Sequence, residues 1–217
     1  MSEPIKTYDG DELDVTWDKR LCIHVGECGR SDDEMFVAKR DPWCQPNLVS
    51  SDHAVDVVER CPTGALVYLR KKDDGPEETA DTVNRVYVSN HGPLYVRGEL
   101  NIEGAPEDMA GVRFRAALCR CGESKNKPFC DNSHEKSGFS DRGAIGRTGK
   151  GLEDGETGAL TVSALKDGPL KLSGPHLLIS PSGRETYRGK TSFLCRCGQS
   201  ANKPFCDGAH SKAGFKG

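Results

Sequence analysis

Residues 119–139 read CRCGESKNKPFCDNSHEKSGF, and residues 195–215 read CRCGQSANKPFCDGAHSKAGF. Fifteen of these 21 positions are identical, at a constant offset of 76. The same offset carries Gly92-Pro93-Leu94 onto Gly168-Pro169-Leu170 and Gly98 onto Gly174. The repeated unit therefore begins well before the cysteines. A duplication of this kind constrains the fold more than any composition does, because both copies must satisfy one local design. The repeats fill residues 82–141 and 157–217, with a different arrangement upstream in residues 1–72.

Each repeat opens on alternating apolar residues around a Gly-Pro turn. Val86, Val88, Leu94 and Val96 flank Asn90-His91-Gly92-Pro93, and Leu160, Val162, Leu170 and Leu172 flank Asp167-Gly168-Pro169. This pattern predicts a β-hairpin in each copy. A third strand is predicted over 112–118 and over 191–194, ending at the first cysteine. Residues 71–82 and 142–158 are polar and read as linkers or exposed loops.

The cysteines need an explanation beyond packing. There are ten, and eight fall into close spacings; Cys44 and Cys61 stand apart in the chain. Only 35% of residues are hydrophobic and the mean hydropathy is −0.61. So sparse an apolar content implies small domains held by something besides burial. The N-terminal MSEPIKTYDGDELD has neither the charged nor the apolar region of a signal peptide, and no apolar run approaches a membrane span. A reducing, cytoplasmic compartment is expected, which disfavours disulfides. The net charge of −3 provides no basic field for nucleic acid.

The repeated ligand pattern is C-x-C-x8-C-x3-H. It comprises Cys119, Cys121, Cys130 and His134 in the first copy and Cys195, Cys197, Cys206 and His210 in the second. Asp131 and Asp207 are placed to cap a helix. Cys130 with His134, and Cys206 with His210, would then share one helical face at i and i+4. Pro128 and Pro204 are expected to hold the approach to the third cysteine extended, and Phe129 and Phe205 to shield the centre. Three chemistries accept these residue types: a structural zinc site, a 2Fe–2S cluster, or a pair of disulfides.

The run C-x-C-x2-S-x3-P-x-C-D-G-x-H, met in full at 195–210, resembles the CDGSH iron–sulfur family, and the likeness covers both repeats. The resemblance implies a redox-active 2Fe–2S cluster in each copy. Cys119 and Cys121 would take one iron and Cys130 and His134 the other, with Cys195, Cys197, Cys206 and His210 matching them. Asn132 departs from the family's glycine, but asparagine is among the residues that tolerate left-handed backbone. The family's two-fold dimers imply an intramolecular pseudo-dimer here. An imidazole ligand raises the potential relative to an all-thiolate set and can be protonated off in acid. Lys127 and Lys203 are candidates for stabilising reduced cluster.

Upstream, Cys22-x5-Cys28 and Cys61-Pro62 resemble the two ends of a single-cluster bacterial ferredoxin, with Val25 where the middle cysteine would stand. The resemblance implies a small α+β ferredoxin-like domain. Cys22, Cys28 and Cys61 would hold a 3Fe–4S cluster, or a 4Fe–4S cluster with an outside ligand. Cys44 and His24 are candidates for that ligand, against a structural free cysteine and a surface histidine. A helix over 53–60, capped by Ser51 or Asp52, is predicted. So is pairing of Leu13, Val15 and Trp17 with residues 66–68. His53, His91 and His176 have no partner at ligand spacing and read as structural.

No phosphate loop or nucleophile elbow is present. The expected function is a non-enzymatic electron carrier or redox sensor working with redox partner proteins, without nucleic acid or membrane. Cluster storage or delivery, and a zinc-stabilised interaction module, are the alternatives.

Overall fold

The computed structural model describes residues 3–31, 34–71, 77–147, 149 and 155–217. Strands β1 (Ile5–Tyr8), β2 (Leu13–Asp18) and β3 (Leu66–Arg70) form an antiparallel sheet in that order. Val15 faces Tyr68 and Trp17 faces Leu66, the pairing that the alternation predicts. Helix α1 (Glu27–Ser31) follows Cys22 closely, and α2 (Ser51–Glu59) buries Ala54, Val57 and Val58 against the sheet side. The cap of α2 is Ser50, one residue earlier than predicted. Ser50 keeps extended backbone, and its hydroxyl accepts from His53 N at 3.3 Å.

The repeats build a second sheet from β4 (Arg85–Val88), β5 (Leu94–Arg97), β6 (Leu100–Ile102), β7 (Arg115–Leu118), β8 (Leu160–Ala164), β9 (Leu170–Ile179) and β10 (Glu185–Leu194). Both predicted hairpins form, with Val86 opposite Val96 and Val162 opposite Leu172. The third strands differ from expectation. In the first copy the strand starts at Arg115, because Ala110–Arg113 is a 3-10 turn that buries Val112. In the second copy it already begins at Glu185.

The sheet order is β6-β8-β9-β4-β5-β7, with β10 also on β9. Each repeat lends a strand to the other. In one direction β6 pairs in parallel with β8, placing Asn101 opposite Thr161; in the other, β9 pairs in parallel with β4, placing Leu177 opposite Arg85. A shift of 76 residues carries the first pair onto the second. One apolar cluster contains Val86, Leu94, Leu118 and Phe129 together with Leu160, Leu170, Leu194 and Phe205. The two sequence ranges thus pool their few apolar side chains in one interior, which reduces the exposed surface each would have alone.

The polar segments are more than linkers. Glu78 lies buried against Arg115 at 2.7 Å, and Asp81 pairs with Arg97 at 3.0 Å. Arg115 also donates to Val58 O at 2.6 Å and Cys61 O at 2.9 Å, so the first repeat grips the N-terminal domain. In the other segment Ile145 packs on the shared core and Glu156 meets Lys190 at 2.8 Å. Residues 72–76, 148 and 150–154 of these two segments lie outside the described residues. No helix among the described residues is long and apolar enough to cross a membrane.

Candidate metal centres

Each repeat closes its ligand loop back onto its own last strand. Cys119 N donates to Pro128 O at 2.8 Å and Cys130 N to Ala117 O at 2.8 Å. Cys195 N to Pro204 O at 2.7 Å and Cys206 N to Phe193 O at 2.8 Å repeat the arrangement. The prolines therefore sit in a turn, closed by Phe129 N to Asn126 O at 2.9 Å, and do not extend the chain as expected. Both follow cis peptide bonds. Inside the loop Ser124 Oγ donates to Phe129 O at 2.6 Å, and Ser200 Oγ to Phe205 O at 2.7 Å. Lys127 and Lys203 each turn their ammonium onto a loop carbonyl at 2.6 Å, which ties both cations to the loop.

The expected helix starts later than the spacing suggested. Ser133–Glu135 is one 3-10 turn and Ala209–Lys212 a single α turn, so neither third cysteine is helical. Asn132 and Gly208 precede these turns at φ 68 and φ 86, the left-handed conformation anticipated for Asn132. Asp131 and Asp207 still organise the start. Asp131 accepts from Lys125 N at 2.8 Å and Ser133 N at 3.0 Å; Asp207 accepts from Ala201 N at 2.8 Å and Ala209 N at 3.0 Å. The Ala209 and Ala201 N–H groups hold the Asp207 carboxyl below its usual range.

These loops bring the candidate ligands together in pairs. Cys119 and Cys121 Sγ lie 3.8 Å apart, as do Cys195 and Cys197. Cys130 Sγ is 3.4 Å from His134 Nδ1, and Cys206 Sγ is 3.4 Å from His210 Nδ1. All ten cysteines are free, which sets the disulfide reading aside. Among the described residues no three His, Cys, Asp or Glu side chains converge on one ion.

Burial and proximity govern the protons. Two buried thiols in contact cannot both ionise readily. In the first repeat the bond between the two sulfurs favours the thiolate on Cys119 and, with burial, pushes the Cys121 thiol up. Burial raises Cys130 to about 12 and holds His134 toward its neutral form. Metal coordination favours the thiolate over the thiol and needs neutral imidazole. Backbone N–H groups already point at sulfur, from Glu123 to Cys121 at 3.4 Å and from Gly208 to Cys206 at 3.4 Å.

The two sites meet back to back. The Cys121 and Cys197 backbones form an antiparallel bridge. A Cβ on Gly122 would stand 2.7 Å from Cys197 O, and one on Gly198 2.5 Å from Cys121 O, so only glycine admits this approach. Arg120 and Arg196, between the paired cysteines, are buried to 1% and 2% exposure. Arg120 donates to Gly92 O at 3.0 Å, to Ser89 O at 2.6 Å and to Asp141. Arg196 donates to Gly168 O at 3.0 Å, Leu165 O at 2.6 Å and Gly217 O at 2.9 Å. Sequence reasoning passed over both arginines, although C-R-C recurs unchanged in the two copies.

In the N-terminal domain Cys22, Cys28 and Cys61 line one cavity of about 400 Å³ with Trp17, Phe36 and Trp43. His24 lines it too, its Nδ1 3.9 Å from Cys22 Sγ. Cys44 does not. It is 1% exposed, packed in the domain core, and burial pushes its thiol up to about 12. Cys44 thus belongs to the buried cluster on which Cys28 and Cys61 pack, and does not line the cavity itself. Of the remaining histidines, His176 is wholly buried between Gly174 O and Ser192 Oγ, each at 2.8 Å, and His91 meets Ser140 Oγ at 3.2 Å.

The family model described as "Divergent 4Fe-4S mono-cluster" matches residues 8–71. The model described as "Iron-binding zinc finger CDGSH type" matches residues 91–135 and again 167–211. The "Uncharacterized protein YjdI" of Escherichia coli K12 is 38% identical over 66 residues, covering 30% of this chain and 87% of the relative. Its counterpart from Escherichia coli O157:H7 matches to the same extent. No solved structure matches the chain.

Proposed function

This chain belongs to the CDGSH iron-binding family and carries a divergent 4Fe-4S mono-cluster domain ahead of its two CDGSH domains, and we propose that it is a three-centre electron-transfer protein. The observation that carries this reading is the two-plus-two grouping of ligands in each repeat. A structural zinc ion asks for four ligands around one point. Here two sulfurs stand 3.8 Å apart, a sulfur and an imidazole nitrogen stand 3.4 Å apart, and among the described residues no three such side chains gather around one ion. Two pairs suit two irons, each taking two protein ligands. Cys119 with Cys121 and Cys130 with His134 would hold one 2Fe–2S cluster; Cys195 with Cys197 and Cys206 with His210 would hold the other. The lent strands and the Cys121–Cys197 bridge support an intramolecular pseudo-dimer.

At the N-terminus three spread cysteines around one cavity suit a 4Fe–4S cluster with one protein ligand per iron. His24 is the fourth donor that this reading favours, because it lines the cavity with the three cysteines and Cys44 does not. When bound, the clusters supply reversible one-electron storage. The chain's part is to hold the thiolates, to exclude water behind Phe129 and Phe205, and to aim N–H groups at sulfur, which tunes the potential. Redox partner proteins would deliver and collect the electrons.

Stepwise reduction of the anaerobically purified protein, followed by electron paramagnetic resonance, tests the reading. The expected result is reduced 2Fe–2S signals that carry nitrogen hyperfine coupling and lose it in His134→Cys and His210→Cys. Protein that stays silent at every stage contradicts it. Cluster delivery is a second reading, favoured by one observation: Cys206 is only half-buried, whereas its counterpart Cys130 is 3% exposed. Transfer of iron and sulfide to an apo-ferredoxin from the second repeat alone would support it.

A further inference from the structure

Asn132 stands where the second repeat has Gly208, and both residues hold left-handed backbone. Glycine meets that requirement without a side chain, so the asparagine amide serves some other purpose. Its Nδ2 donates to Ile23 O at 2.7 Å, and Ile23 follows Cys22 in the chain. Its own backbone N–H donates to Cys130 Sγ at 3.4 Å. A single residue thus joins the Cys22 loop to a sulfur of the first repeat.

Two other contacts hold the same junction, and Tyr95 sits beside them. Ile23, Ala117 and Cys130 form a small buried cluster with Tyr95 against it. Asn126 Nδ2 donates to Arg20 O at 2.7 Å. The Tyr95 phenol lies in the field of both Cys130 and Cys61, one thiol from each site. The second repeat keeps the backbone bond, from Gly208 N to Cys206 Sγ at 3.4 Å, but has no side chain at Gly208 to reach the Cys22 loop, and Gly208 is exposed and Cys206 half-buried. Asn202, the counterpart of Asn126, donates through its backbone only to its own loop, at Ser200 Oγ.

We propose that Asn132 is a positioning residue that couples the N-terminal centre to the centre of the first repeat and not directly to that of the second. The proposal rests on the reading that both sites hold iron–sulfur clusters. In the exchange it serves, one electron leaves one centre, oxidising it by one equivalent, and reduces the other by one. No bond forms or breaks and no proton moves. A one-electron reductant of the flavin-radical class supplies the electron.

The test uses the full-length holoprotein. Iron and acid-labile sulfide are first measured in wild type, Asn132→Gly, Asn132→Asp and Gly208→Asn. Asn132→Gly installs the residue the second repeat uses, and Asn132→Asp keeps the shape but removes the donor. Electron paramagnetic resonance of the fully reduced proteins then reads spin coupling between the centres. Flash photoreduction with a flavin reads the rate of internal electron equilibration. The expected result is full iron and sulfide in all four, with the coupling-induced broadening and the fast equilibration phase lost in both Asn132 variants and kept in Gly208→Asn. Unchanged broadening and unchanged fast phase in loaded Asn132 variants overturn the coupling. Protein without iron and sulfide overturns the reading beneath it and this inference together.

Discussion

The Arg115 guanidinium leaves β7 of the first repeat and meets the Glu78 carboxylate at 2.7 Å, with both side chains under a tenth exposed. The same guanidinium closes on carbonyls of Val58, Cys61 and Leu66, at the end of α2 and the start of β3. Removing one member of a buried pair leaves the other charge without compensation. Arg115→Ala should therefore destabilise the protein by about 3–5 kcal/mol, read as a lower urea midpoint. An unchanged midpoint would show that the N-terminal domain does not depend on this anchor.

Gly64 makes the same junction from the backbone side. It sits at φ +71, and a Cβ there would stand 2.5 Å from Arg115 O and 2.6 Å from Gly111 O. Gly104 has a similar φ of +79 with nothing within 4 Å of such a Cβ. Gly104→Ala should cost only the left-handed penalty, about 1–2 kcal/mol. Gly64→Ala should cost clearly more, since backbone must also move. Equal melting temperatures for the two variants would argue against close docking at this point.

His176 and Ser192 form a buried pair that the first repeat replaces by Leu100 and Ala116 at the matching positions. Burial lowers the pKa of His176, so the folded chain resists a proton that the unfolded chain accepts near pH 6.5. Stability from this source is present above that pH and is lost as pH falls through and below it. The double variant His176→Leu with Ser192→Ala should show a smaller drop in melting temperature than wild type between about pH 7.5 and pH 5.5. An identical drop would place the acid sensitivity elsewhere.

Cys44 and Cys28 should separate cleanly on substitution. Cys44→Ala removes a small buried side chain and should lower stability while leaving iron content unchanged. Cys28→Ala removes a thiol from the wall of the three-cysteine cavity and should lower iron content. Iron analysis of both variants at matched protein concentration decides the point; iron loss in Cys44→Ala would return it to the ligand set.

The hairpins, and the pairing of the eight repeated cysteine and histidine positions in space, were legible because local alternation and fixed spacing encode them. Val86 and Val96, or Cys130 and His134, lie near each other in sequence, and their relation needs no knowledge of the rest of the chain. The lent strands were not legible. Leu100 and Ile102 alternate over only three residues, and alternation does not say which strand accepts them. Arg115, Arg120 and Arg196 were also passed over, since arginine reads as a surface residue until backbone carbonyls are seen around it. The turns at Pro128 and Pro204 escaped for a related reason: Ser124 and Ser200 fold the loop from within, through side-chain bonds that spacing does not reveal.

The ligand pairs of the two repeats carry the whole account, and metal and sulfide analysis of the anaerobically purified protein tests them most directly. The account predicts iron and acid-labile sulfide in equal amounts, no stoichiometric zinc, and a loss of both together in Cys119→Ala or Cys195→Ala. Stoichiometric zinc without sulfide would contradict it.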